Sequence, residues 1–104
     1  LYFQPDSPLP TPESERAAEP ILEEIARRPA VEVTLIGHSD KRGEDGHNHT
    51  LSLTRAMWVR TRLIAMGVSG FRVTIGGQGE RRPAIITPDG VDEPRNRRVE
   101  IHAR

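Results

Sequence analysis

Val31-Glu32-Val33-Thr34-Leu35-Ile36-Gly37 decides the fold, because its side chains alternate with the two-residue period of a β-strand. Val31, Val33 and Leu35 fall on one face, with Glu32, Thr34 and Ile36 on the other. The strand ends at Gly37 and carries His38-Ser39-Asp40 at its tip. Asp40 to His49 is a polar, glycine-containing loop. Ala56, Val59, Leu63 and Met66 then recur at helical spacing, with Asn48 or Thr50 as a cap and Gly67 as the stop. Arg55 lies seven residues past Asn48, about two turns into that helix. An acid at a strand tip and a guanidinium on the next helix suit a ligand that carries both an ammonium and a carboxylate.

On the N-terminal side, Pro5 to Pro12 holds four prolines in eight residues and reads as a loop. Thr11-Pro12-Glu13 then gives an N-cap, a proline at the first helical position and acid in the first turn. Ala17, Ile21 and Ile25 make the inward stripe of a helix ending near Arg28-Pro29, and Pro20 inside it predicts a kink or a late-starting ordered part. Leu1-Tyr2-Phe3-Gln4 has two readings: the remnant of a protease-cleavable tag, or a native first strand.

Towards the C-terminus, Phe71, Val73 and Ile75 predict a third strand closed by a flexible Gly76-Gly77-Gln78-Gly79. After a loop rich in Pro and Asp, Arg98 to Ala103 makes a final strand with Val99 and Ile101 inward. The expected fold is α+β, a two-layer sandwich in the order βαβαββ, with two helices on one face of a mixed four-stranded sheet. At 104 residues the chain is one domain's worth, residues 1–104.

Composition narrows the function. Fifteen basic and fifteen acidic residues give a formal net charge of zero, which argues against a dedicated nucleic-acid binder. Without cysteine there is no disulfide and no thiolate metal site. No apolar run is long enough to insert this stretch into a membrane, and no signal segment opens it, so an envelope protein's export signal and anchor would lie elsewhere.

Catalysis is not expected either. Gly76-Gly77-Gln78-Gly79 lacks the Lys-Ser or Lys-Thr of a phosphate loop, no Gly-x-Ser-x-Gly elbow exists, and Glu44-Asp45 and Asp92-Glu93 lie in loops without an apolar frame. His38, Asp40, His47 and His49 match no closed metal site, so no metal and no cofactor is expected. Arg81-Arg82 and Arg95 to Arg98 read as solvated or internally paired charge. Trp58 and Met57 read as core or partial core.

Five words in order resemble one family. Gly37-His38-Ser39-Asp40 looks like Gly-His-Thr-Asp; Asn48, Leu51-Ser52, Arg55-Ala56 and Val59 look like Asn-x-x-Leu-Ser-x-x-Arg-Ala-x-x-Val. Gly67-Val68 with Arg72-Val73, then Gly77-x-Gly79-Glu80-x-x-Pro83, and finally Asn96-Arg97-Arg98-Val99-Glu100-Ile101 complete the set. The chain thus resembles the OmpA-like domain, a peptidoglycan-binding module of Gram-negative envelopes. In that family a first strand precedes a Phe-x-x-x-Ser turn, a spacing that Phe3 to Ser7 has.

The resemblance implies a non-catalytic anchor that binds the diaminopimelate of the peptidoglycan stem peptide, whose free end bears an amine and a carboxylate on one carbon. Asp40 and Arg55 would be its charge partners, Arg because its planar fork grips a carboxylate. Asn48, Leu51 and Arg97 would line the same pocket, and Asp6 would add a polar contact. Neither charge partner is needed for the core on this reading, so replacing either should leave the fold intact. Ser39 keeps the hydroxyl of the commoner Thr, whereas Lys41-Arg42 depart from the family's small or polar residues. That departure motivates the alternative, an OmpA-like module that contacts protein partners without binding the wall. The family implies the periplasmic face of the envelope, with attachment to the outer membrane through a region outside this chain. It occurs both singly and as dimers, which leaves a homodimer open.

Overall fold

A computed structural model describes residues 1–5, 7–28, 30–38, 45–79 and 97–104. The elements are α1 (Pro12–Ala26), β1 (Val33–His38), α2 (Asp45–Ala65), a 3-10 turn (Gly70–Arg72), β2 (Val73–Gly79) and β3 (Val99–Ala103). The sheet has the order β2-β1-β3, with β1 parallel to β2 and antiparallel to β3. It is mixed, as expected. Val33, Leu35 and Val99 share one buried cluster with Leu22 and Ile25 of α1 and with Ala56, Val59 and Leu63 of α2, so both helices cover the same face.

The expected four-stranded sheet has three strands among the described residues. The N-terminal segment meets the start of β3 over three residues, with the bridge Tyr2–Arg98, hydrogen bonds exchanged between Leu1 and Val99, and the Phe3 N–H on the Arg97 carbonyl; Phe3 also bridges Pro10. Pro5 has no N–H to donate to a ladder, and Gln4 turns its own N–H to the Leu9 carbonyl at 3.0 Å. The expected first strand is therefore cut short to the pairing of residues 1–3.

Thr11 caps α1, its hydroxyl oxygen accepting from the Ser14 N–H at 3.3 Å, with Pro12 behind it. Thr11→Ala should cost about 1 kcal/mol and lower the melting temperature by about 4–8 °C, read by circular dichroism. An unchanged melt would mean that water caps the helix as well as the hydroxyl does. The inward stripe is Ala18, Leu22 and Ile25: Ile25 is inward as expected, while Ala17 and Ile21 each stand one residue short of the buried position. Both sets satisfy the helical period. The Glu19–Arg62 ion pair at 2.8 Å ties α1 to α2 in the observed phase, and Ile21 is left 55% exposed. The helix runs through Pro20, which stands on its exposed side.

Helix α2 begins at Asp45, so Asn48 and Thr50 lie within it and cap nothing. Gly67 ends it as expected, at φ 102°, with Val68 N–H returning to the Leu63 carbonyl at 3.0 Å. Phe71 belongs to the 3-10 turn and is fully exposed, so the strand starts at Val73. Gly76 to Gly79 are not a flexible closure. They continue β2, pairing Gly76 with Ile36 and Gly77 with Gly37 before a bulge places Gly79 opposite His38.

One contact fixes how low α2 lies on the sheet. A Cβ built on Gly37 would stand 1.8 Å from the Ser52 carbonyl oxygen, and one on Gly77 would stand 2.6 Å from the Ser52 hydroxyl. These two glycines are paired in register, so α2 lays its backbone directly on the sheet beside the end of β1.

Candidate functional site

The inward face of α2 changes character along its length. Asn48, Ser52 and Arg55 are buried at its first half, and Ala56, Val59 and Leu63 continue the row in apolar form. A buried polar row on a helix needs partners. The Ser52 hydroxyl donates to the His49 carbonyl at 2.7 Å.

Arg55 is fully buried, and its guanidinium is tied to main-chain oxygens. Nη1 donates to the His38 carbonyl at 3.0 Å, Nη2 to Gln4 O at 2.9 Å and Nε to Ser7 O at 3.0 Å. The Phe3 ring centroid lies 5.5 Å from the Arg55 Cζ. The expectation that Arg55 is dispensable for the fold is thus corrected: it joins the N-terminal arm, the end of β1 and α2. Three of the five N–H groups of an arginine go to carbonyls here, so no more than two remain for a carboxylate.

Arg97 meets the same arm. It is buried, and its Nε donates to the Phe3 carbonyl at 3.2 Å while the Phe3 N–H returns to the Arg97 carbonyl at 2.8 Å. Consecutive carbonyls, Phe3 and Gln4, therefore receive one arginine each. Asn48 is buried near the start of α2, and Leu51 is half-buried beside it. Asp6, Asp40, Lys41 and Arg42 lie outside the described residues. The structure brings Arg55 and Arg97 together on the arm, and the His38 carbonyl, two residues before Asp40, accepts from Arg55.

His38 carries the other side of the strand tip. Its ring is buried, with Nε2 2.6 Å from the Glu100 Oε2. Glu100 also accepts from Arg98 at 2.9 Å and faces His102 at 3.1 Å. Partial burial pushes the Glu100 carboxyl up. Hydrogen bonds from His102 and Arg98, with the charges of His38 and Arg98, outweigh that and hold it below the usual carboxylate range. His47 and His49 are exposed on α2 while His38 is buried, and no group of three metal-ligating side chains gathers among the described residues. Trp58 packs partly against the core, edge-on to Phe3. An apolar groove of about 620 Å³ between α1 and β3 is lined by Leu1, Tyr2, Ile21, Ile25, Val31 and Ile101, and none of Asn48, Leu51, Arg55 and Arg97 borders it.

Two features escaped the sequence reading. The Gly37–Gly77 pair was visible only as a strand end and a loop, since nothing in the residues says that they face each other. The Phe3–Arg55 contact spans 52 positions, and its one signal was the Phe3-to-Ser7 spacing.

Comparison with known proteins agrees with this geometry. A family model described as the OmpA family matches residues 2–97. Outer membrane porin F of Pseudomonas fluorescens is 35% identical over 100 residues, 96% of this chain and 31% of that protein. The peptidoglycan-associated lipoprotein of Pseudomonas aeruginosa is 33% identical over 101 residues, 97% of this chain and 60% of that protein. The chain therefore spans less than two thirds of either relative. The crystal structure of the peptidoglycan-associated lipoprotein from Burkholderia pseudomallei shares the fold, with a TM-score of 0.87 at 23% identity, over 100% of this chain and 88% of that one. With 96 consecutive residues matched by the family model, the chain belongs to the OmpA family.

Proposed function

We propose that residues 1–104 form a single non-catalytic module that binds peptidoglycan through the diaminopimelate of its stem peptide. It holds an envelope protein to the wall at the periplasmic face, with attachment to the outer membrane supplied by a region outside this chain. Among the described residues no helix is long and apolar enough to cross a membrane. A relative named as peptidoglycan-associated supports the partner. The carrying observation is the 3.0 Å bond from Arg55 Nη1 to the His38 carbonyl, which puts a guanidinium at the strand tip two residues ahead of Asp40. On this reading Asp40 takes the ligand's ammonium and Arg55 its carboxylate, with Asn48, Leu51, Arg97 and Asp6 around them.

Asp40→Asn should weaken binding of a diaminopimelate muropeptide about 10- to 100-fold, or about 1.5–3 kcal/mol, measured by calorimetry at fixed salt. An unchanged affinity would discard this assignment. The second reading, a protein-interaction module without wall binding, is favoured by the burial of Arg55, which already has a structural task. Sedimentation with insoluble sacculi separates the two, since only the first predicts that the protein pellets with the wall.

A further inference from the structure

Resting on the peptidoglycan reading, we propose that Phe3 is a positioning residue for the ligand site, its ring being the platform on which the Arg55 guanidinium stands. The three carbonyls Gln4, Ser7 and His38 fix the directions of Arg55's N–H groups, and the ring supports the group from Phe3, 5.5 Å from Cζ. A cation over an aromatic face is held most strongly where water is excluded, and both side chains are buried.

The ring is itself held. It lies edge-on to Trp58 with centroids 6.3 Å apart, and its backbone is fixed on both sides by Arg97. Phe3 thus transmits the order of the sheet edge and α2 to a guanidinium that must present one edge to a carboxylate. A gripping group held in place before the ligand arrives loses less freedom on binding.

The test measures muropeptide affinity of Phe3→Met, which removes the ring face but keeps an apolar side chain, beside Asp40→Asn and Leu63→Val. Leu63 lies two turns further along α2 in the same core and serves as a comparison for plain loss of packing. All are assayed where circular dichroism shows them folded. Expected is a loss of about 3- to 10-fold for Phe3→Met, with Leu63→Val like the parent. If Phe3→Met binds like the parent, or no worse than Leu63→Val, while Asp40→Asn is impaired, the positioning role is wrong and the peptidoglycan reading stands. If Asp40→Asn binds normally, the peptidoglycan reading fails and this inference with it. Should Phe3→Met not fold, the Arg55 Nε–H resonance of the unaltered protein decides. A ring-current displacement that changes on adding muropeptide supports the role, and a resonance among those of exposed arginines overturns it.

Discussion

Gly37→Ala is expected to melt about 12 °C or more below the parent, a loss of at least about 3 kcal/mol. The new methyl would sit 1.8 Å from the Ser52 carbonyl oxygen and 2.6 Å from its carbonyl carbon. These are main-chain atoms in the middle of a 21-residue helix, so no rotamer change relieves the clash. Either α2 lifts off β1, opening the core behind it, or the sheet bends. Gly76, the neighbouring glycine on β2, provides the comparison: a Cβ there meets nothing within 4 Å, and Gly76→Ala should melt within a degree or two of the parent. Equal melting temperatures for the two alanine variants would show that helix and strand do not touch as described.

Arg55→Met is expected to cost roughly 3 kcal/mol or more, besides any effect on binding. Methionine retains an apolar stem but leaves the carbonyls of Gln4, Ser7 and His38 without their donor, and a buried unsatisfied polar group costs about 1–3 kcal/mol. Against a typical stability of about 5–15 kcal/mol, such a loss puts the variant near the limit of folding at growth temperature. Arg55→Lys should fall between, since an ammonium cannot reproduce the guanidinium's planar fork. Urea denaturation reads both variants, and a midpoint for Arg55→Met equal to the parent's would show the three bonds to be worthless. Any loss of wall binding on removing Arg55 therefore mixes unfolding with recognition, which is why Asp40 is the cleaner probe.

What could be read from residues alone follows the physics of short and long range. The alternation Val31, Val33, Leu35 and the helical row Ala56, Val59, Leu63, Met66 are local patterns: Val33, Leu35, Ala56, Val59 and Leu63 are buried where the period put them, and Val31 and Met66 are half-buried against the same core. α1 was placed but misphased, because Ala17–Ile21 and Ala18–Leu22 satisfy the same spacing and only packing against the rest of the fold chooses between them. Gly76 to Gly79 looked like a loop because glycine has a low strand propensity. Pairing with β1 and the nearness of Ser52 overrode that preference. Of the candidate site residues, Arg55 and Arg97 stand out in the sequence by residue type, and both are buried against the N-terminal arm. Arg55's bonds to an arm some fifty residues away were not legible there, since backbone carbonyls leave no mark in a sequence.

The register of Gly37 with Gly77 has a further consequence. Elsewhere the gap between helix and sheet is set by whichever side chains fill it, and substitutions such as leucine for valine can widen or narrow it. Between Gly37 and the Ser52 carbonyl no side chain intervenes, so the clearance there is that of two main chains at van der Waals contact. The spacing of α2 from the end of β1 is consequently independent of how the core is repacked, and sequences can drift at the Leu63 end without changing it.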